Sequence, residues 1–490
     1  MRSVTVGVDV GTSSTKGVLV DVDGVVLASA SREHAVDRPT PGHVEVDANL
    51  WWGELVSIVR ELLTVVPDAE PVAIGVSGMG PCVVLLDDAG EPVRSAILYG
   101  VDSRARAQIE RLTAELGADH IVASGGTSLT SQAAGPKIAW VRENEPDVYA
   151  RATSLAMPAS FLALRLTGEL ALDHHSASQC WPLYDIDLAR WREDWWDVIA
   201  PGIARPLLAL PASSVGAVTA EAASATGLPT GIPVALGTID AWTEAVSAGA
   251  TRSGDLMLMY GTTMFLIATT DRRPDAPGMW TTRGVEEGSY SLAGGMATSG
   301  AITTWIRDLI DGDYATLTGL AAESGVGARG LVMLPYFAGE RTPIQDPDAR
   351  GAVIGLTLNT TAGDLYRAAL EATAFGVRHN IEVMREAGTR IDRVIAVGGG
   401  TTGGLWTQIV SDVTGLPQTI PSVTVGASFG AAFLAASLVG SPDIDVWNPP
   451  ADVVEPDAAR RSVYDAQYRL YRDLYPATRD ISHALACTQR

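Results

Sequence analysis

Val4-Thr5-Val6-Gly7-Val8-Asp9-Val10-Gly11-Thr12-Ser13-Ser14-Thr15-Lys16 opens the chain with valines two residues apart, then a turn of small residues. A spacing of two puts Val4, Val6, Val8 and Val10 on one face of a strand. Gly17-Val18-Leu19-Val20 continues the extended run beyond the turn. Asp23-Gly24 then signals a hairpin before Val25-Val26-Leu27. Three antiparallel strands are therefore predicted. Halfway along the chain the same grammar returns: Asp255-Leu256-Met257-Leu258-Met259-Tyr260-Gly261-Thr262-Thr263-Met264-Phe265-Leu266-Ile267 is again strand, Gly-Thr-Thr turn, strand.

Each copy is followed by a second landmark. After the first, Asp47 is a plausible N-cap, and Trp51, Leu55, Ile58, Val59, Leu62 and Leu63 recur at helical spacing up to Val66. Pro71-Val72-Ala73-Ile74-Gly75-Val76-Ser77-Gly78 then reads as a buried strand entering a loop. After the second copy, a long helix predicted over 362–387 leads into Arg393-Val394-Ile395-Ala396-Val397-Gly398-Gly399-Gly400. The order βββαβ differs from a Rossmann unit, which needs a parallel crossover after its first strand. Two matched landmarks in one order predict two related domains, 1–248 and 249–490, with a cleft between them. Residues 105–225 read as helices and irregular loops whose tryptophans pack, and 457–486 as a helical tail.

At 490 residues the chain is too long for a single core. Its net charge of −22, from 35 basic and 57 acidic residues, leaves no basic excess to meet nucleic-acid or anionic-membrane phosphates. Cys82, Cys180 and Cys487 stand too far apart for a zinc site or a disulfide framework. The opening residues lack the apolar run of a signal peptide, and the stretch 427–440 is too short to span a bilayer, so a cytoplasmic protein is expected.

Three motifs carry candidate chemistry. Asp9 through Lys16 offers consecutive N–H groups and several hydroxyls in one concavity, a nest for phosphate oxygens. Asp9 could hold magnesium through water, and Lys16 could add a point charge. The spacing is not that of a Walker loop, and an ordinary hairpin turn fits it as well. In Gly237-Thr238-Ile239-Asp240-Ala241-Trp242, an apolar strand delivers Asp240 to the start of a helical stretch, Trp242–Ala248. A carboxylate held there can take a hydroxyl proton, or simply cap the helix. Gly398-Gly399-Gly400 with Gly403-Gly404 permits close backbone approach to a flat ligand such as adenine, or forms a flexible loop. Within Leu334–Pro343, Glu340 and Arg341 are expected to pair and fix a loop.

These motifs, in this order and over nearly the whole chain, resemble the FGGY carbohydrate kinases, xylulokinases in particular. Gly339-Glu340-Arg341-Thr342-Pro343 and the run from Gly351 to Glu371 carry the resemblance most specifically. It implies an α/β fold of two actin-like (ribonuclease-H-like) ATPase domains with an interdomain cleft. It also implies ATP and Mg²⁺ as cofactors and a sugar or polyol acceptor such as xylulose, ribulose or erythritol. By resemblance, Asp240 matches the catalytic base, and Asp9, Gly11, Thr12 and Ser13 match the phosphate-and-magnesium loop. Gly261 and Thr262 match a second phosphate loop, Gly300 a position near the nucleotide, and Gly399 and Gly400 the adenosine site. Sugar contacts fall to Met79, Gly80, Asp102, Arg104 and Trp242 beside Asp240. This chain has Gly78-Met79-Gly80-Pro81-Cys82 where xylulokinases usually carry Gly-Gln-Met-His-Gly, and Ala241 where the family often has Asn or Gln. A homodimer is common among such relatives. A nucleotide-driven chaperone would need a peptide-binding domain beyond the helical tail, and a sugar-binding pseudokinase would not need both phosphate loops and both aspartates.

Overall fold

A computed structural model describes residues 2–276 and 278–489, and in it the chain forms two compact units. The first takes the chain up to Thr251 together with Thr281–Ser291 and Val425–Pro449. The second takes Arg252–Trp280, Leu292–Thr424 and the chain from Pro450.

The first unit is built on a six-stranded sheet. Its strands are β1 (Arg2–Val10), β2 (Ser14–Asp21), β3 (Val26–Glu33), β4 (Ala69–Gly78), β5 (Ser214–Ala217) and β6 (Pro233–Ile239). Their spatial order is β5-β6-β4-β1-β2-β3. The β1–β2–β3 run is antiparallel, while β4 pairs parallel with β1 on one side and with β6 on the other. The helix Ala48–Val65 is capped by Asp47, whose side chain accepts from the Asn49 N–H. It buries Trp51, Leu55, Ile58, Val59 and Leu62, the positions set by its apolar period.

Val425–Pro449, expected with the C-terminal half, belongs to the first unit because of its helix Ala427–Ala436. Glycines on both sides let backbone approach backbone. A Cβ on Gly7 would come within 2.5 Å of the Ala432 nitrogen, and one on Gly75 would strike the Ala431 carbonyl. Gly430 of the same helix gives equally close access to the Thr243 carbonyl. The long sequence separation of the partners hid these contacts, although the Ala/Ser/Gly composition of the helix suits them.

The second sheet comprises β7 (Asp255–Tyr260), β8 (Met264–Thr270), β9 (Trp280–Arg283), β10 (Tyr290–Met296), β11 (Arg393–Val397), β12 (Gln418–Pro421) and β13 (Pro450–Val454), of which Thr281–Arg283 and Tyr290–Ser291 count with the first unit and the rest with the second. Their order is β9-β10-β8-β7-β11-β12-β13. Here β7 pairs antiparallel with β8 and parallel with β11, which is parallel to β12, and β12 is antiparallel to β13. Hairpin, central strand, two parallel neighbours and an antiparallel edge thus recur in both sheets. The echo in the sequence is a duplicated topology. The helix Ala362–Glu386 starts at a capping box formed by Thr361 and Asp364 and buries one long face in this unit's core. Among the described residues, no helix is long and apolar enough to cross a membrane.

Candidate active site

Asp240 follows the last residue of β6 and is the first residue of the helix Asp240–Ser247; Ile239 is the cap. The helix begins two residues earlier than its apolar pattern suggested. One Asp240 oxygen accepts the Ala241 N–H at 2.7 Å. The register of the sheet lines up Asp9 on β1 with Ser77 on β4, and Ser77 with Thr238 on β6. Asp9 is also directly opposite Lys16 across the β1–β2 hairpin. Cross-strand partners share a face, so Asp9, Ser77, Thr238 and Lys16 form a polar row at the carboxyl ends of three mutually parallel strands. That is where open α/β sheets gather their ligands.

Hydrogen bonds hold this row in place. Ser77 Oγ donates to Asp9 Oδ1 at 2.6 Å, and Thr238 Oγ1 donates to Asp173 Oδ1 at 2.7 Å. Burial raises the Asp9 carboxyl above the usual range, opposed by the Ser77 bond and the Lys16 charge. Burial first, and then the Asp9 charge, push Asp240 up to about 7; the Ala241 N–H opposes them and the Glu244 charge adds to the rise. Glu244 is likewise pushed up to about 7, by burial and then by Asp9, against Lys16 and the Ala427 N–H. The motifs did not reveal Glu244, although its place four residues after Asp240 puts the two on one helix face.

Asp9 raises the proton affinity of Asp240 and Glu244, and a setting of clustered carboxylates of this kind favours a cation. Among the described residues no group of three His, Cys, Asp or Glu could hold a metal by itself. Magnesium needs no such cage, because it keeps several waters and takes one or two carboxylates together with phosphate oxygens. The donor set around Asp9 therefore fits a water-mediated magnesium.

The Gly11–Ser14 turn is closed by Gly11 N–H donating to Ser14 O at 2.9 Å. Thr12 Oγ1 lies 2.9 Å from the Tyr99 hydroxyl, while Ser13 and Lys16 are exposed. Beneath Tyr99, the buried Lys137 ammonium donates to the Leu98 and Tyr99 carbonyls at 2.6 and 2.9 Å. Burial lowers that lysine to about 8.

In the second unit Gly261, Thr262, Gly300, Gly399 and Gly400 line one cavity of about 430 Å³. Gly300 N–H donates to Gly261 O at 3.0 Å, so the β7–β8 turn and the start of the helix Gly300–Leu309 are tied together. A Cβ on Gly399 would meet nothing within 4 Å, whereas one on Gly400 would come within 2.8 Å of the Trp406 ring. Trp406 Nε1 donates to Thr373 Oγ1 at 2.9 Å, and its ring meets Tyr260 edge-on at 5.3 Å. Glycine backbone and Trp406 make a slot suited to a flat aromatic base. Trp406, Tyr260, Tyr314 and Tyr366 belong to this lining and were not singled out by the motifs. Trp406 was within reach of them, two residues beyond Gly404.

Several expected sugar contacts are engaged elsewhere. Met79 is 1% exposed and packs in the core, its N–H donating to Val10 O at 2.7 Å. Asp102 and Arg104 turn their charges on each other: Arg104 Nη2 donates to Asp102 Oδ2 at 2.7 Å, and both side chains are 0% exposed. Asp102 also accepts the Val44 N–H, and Arg104 pairs with Glu45 at 2.6 Å and lies over Trp140. These two fix a loop; neither presents a free group to a sugar. Trp242 is buried against His175, ring centroids 4.0 Å apart. Burial lowers that imidazole to about 3, so it is neutral. Gly80 abuts Ile239, the residue before Asp240: a Cβ there would come within 2.7 Å of its side chain. Glu340 fixes its loop by accepting the Ala297 and Arg341 N–H groups, at 2.9 and 2.7 Å, in place of the expected side-chain pairing with Arg341.

A duplicated α/β topology, a basic carboxylate at a strand end and a glycine-walled slot define a phosphotransferase class. Family models agree over most of the chain. The N-terminal domain of the FGGY family of carbohydrate kinases matches residues 4–247, and its C-terminal domain matches 256–439. The chain belongs to the FGGY family of carbohydrate kinases, enzymes that phosphorylate an alcohol group. It is 28% identical to a xylulose kinase of Staphylococcus epidermidis over 497 aligned residues, covering 98% of each chain. It is 30% identical to glycerol kinase 2 of Streptomyces avermitilis, covering 90% of this chain and 88% of that one. The crystal structure of xylulose kinase from Rhodospirillum rubrum superposes with a TM-score of 0.91 at 34% identity, over 98% of this chain and 99% of the other.

Proposed function

We propose that this carbohydrate kinase transfers the γ-phosphoryl group of ATP to a hydroxyl of a ketopentose, with xylulose as the leading substrate. The observation that carries the mechanism is the placement of Asp240 at the junction of β6 and the helix Asp240–Ser247, where burial and the Asp9 charge raise its proton affinity to about 7. Asp240 accepts the hydroxyl proton, the sugar oxygen bonds to the γ-phosphorus, and the bond to the β,γ-bridging oxygen breaks to release ADP. The Gly11–Ser14 turn and Lys16 receive phosphate oxygens through N–H groups, hydroxyls and the ammonium charge. Thr262 does the same in the second unit, on a turn that Gly261 and Gly300 shape, and Gly399, Gly400 and Trp406 hold adenine. Magnesium, when bound through water beside Asp9, offsets negative charge on the phosphates. Ser77 keeps the Asp9 carboxylate aimed at that position.

Xylulose is favoured by the full-length relatives that bear its name. A polyol, or ribulose, is the second reading, favoured by Gly80-Pro81, which offers no side-chain hydrogen bond to a sugar hydroxyl. We place the protein in the cytoplasm and leave nucleic acid and membrane out of its partners, with a homodimer as the expected assembly. Measuring ADP release with Mg-ATP over ketoses, aldonates and polyols tests the reading. The highest kcat/KM is expected for xylulose; a higher value for erythritol or glycerol would move the assignment to polyols, and no stimulation by any acceptor would contradict it.

A further inference from the structure

Behind the Gly11–Ser14 turn lies a pair of titratable side chains that the proposed mechanism does not use. His34 follows β3, and Glu54 sits on the inner face of the helix Ala48–Val65. Their side chains are 2% and 9% exposed. His34 Nδ1 is 3.0 Å from Glu54 Oε2 and 3.2 Å from Oε1. The other ring nitrogen, Nε2, is 3.2 Å from the Gly11 carbonyl oxygen. His34 also donates its backbone N–H to the Ser13 carbonyl at 2.9 Å, and Thr15 Oγ1 donates to Glu54 Oε2 at 2.5 Å. The pair thus grips the turn at Gly11, Ser13 and Thr15.

We propose that Glu54 and His34 are positioning residues for phosphate binding: Glu54 orients the imidazole, which anchors the Gly11 carbonyl and leaves the N–H side of the turn facing the nucleotide. A peptide plane is rigid, so fixing its carbonyl fixes the direction of the N–H on the next residue, Thr12. An amide nest binds anions only while its N–H groups converge. The two ring nitrogens face different groups, Nδ1 the Glu54 carboxylate and Nε2 the Gly11 carbonyl, so the ring bridges helix and turn.

The inference rests on the reading of this turn as a phosphate loop, and the test separates the two. In the enzyme as a whole, His34→Leu is expected to raise KM for ATP about tenfold, the worth of one buried hydrogen bond, with KM for the sugar changed less than about twofold. Glu54→Gln keeps an acceptor for the imidazole but loses the charge, and is expected to shift KM for ATP the same way by a smaller factor. Should His34→Leu fail to fold because it leaves a buried carboxylate alone, the double variant His34→Leu/Glu54→Gln carries the test, with the same tenfold rise expected. Lys16→Met tests the turn itself. If it raises KM for ATP while the His34 and Glu54 variants change only melting temperature, or both KM values equally, the positioning role is overturned and the loop stands. If Lys16→Met leaves KM for ATP unchanged, the turn does not hold phosphate and the inference falls with it.

Discussion

A carboxylate that takes a proton from an alcohol must be ionised at working pH yet retain affinity for a proton. Asp240 meets both demands near neutrality because burial and the charges of Asp9 and Glu244 resist its ionisation. Because kcat/KM reports the essential groups of the free enzyme, kcat/KM measured with Mg-ATP should rise with pH as Asp240 ionises near 7. Asp240→Asn should fold normally and lose about 10²–10⁴ in kcat, the usual contribution of a general base. The same shift predicts a stability effect. The unfolded chain ionises Asp240 at an ordinary carboxylate pKa of about 4, below the folded value, so the wild-type protein loses stability as pH rises from there to about 7. Thermal melts without metal should therefore show Asp240→Asn gaining on wild type between pH 5 and pH 8; an equal gap at both would contradict the raised proton affinity. At this scale the sequence was legible where chemistry sits at a strand end, as for Asp9 and Asp240. It was silent on partners: nothing in the spacing of Asp102 and Arg104 said that they would pair and bury each other. His34 and Glu54, twenty residues apart, gave no signal at all.

Glycine serves two purposes in the elements, and substitutions distinguish them. Gly75 and Gly7 exist for packing, since a side chain there would drive into the backbone of the helix Ala427–Ala436. Gly75→Val is expected to cost more than about 3 kcal/mol and to yield little folded protein in a urea melt, because neither sheet nor helix can retreat. At Gly399, which the proposed function places against adenine, the Cβ position is open, so Gly399→Val should leave the melting temperature within about 2 °C while raising KM for ATP at least fivefold through steric filling of the slot. Gly398, with φ of 93° and the Tyr260 carbonyl against it, should instead lose stability on Gly398→Ala. Helix and strand placement was readable because periods of 3.6 and 2 are local properties. The membership of Val425–Pro449 in the first unit was not, because it is a long-range packing fact.

For the whole molecule, the recurrence of strand, Gly-Thr turn and strand is the most informative property of the sequence, since it reflects the duplicated sheet topology. The first copy carries the carboxylates and the second the glycine slot, a division of labour the matching topologies alone do not explain. The strong negative charge makes a cation requirement testable in bulk: EDTA should abolish sugar-dependent ADP release, and excess magnesium should restore it, whereas persistence in EDTA would exclude a metal beside Asp9. The most direct test of the account is sugar-dependent ADP release from Mg-ATP, compared between wild type and Asp240→Asn at pH 8. Saturable release with xylulose in the wild type and loss of at least about 10² in kcat in the variant are predicted; near-equal turnover by the two proteins would contradict it.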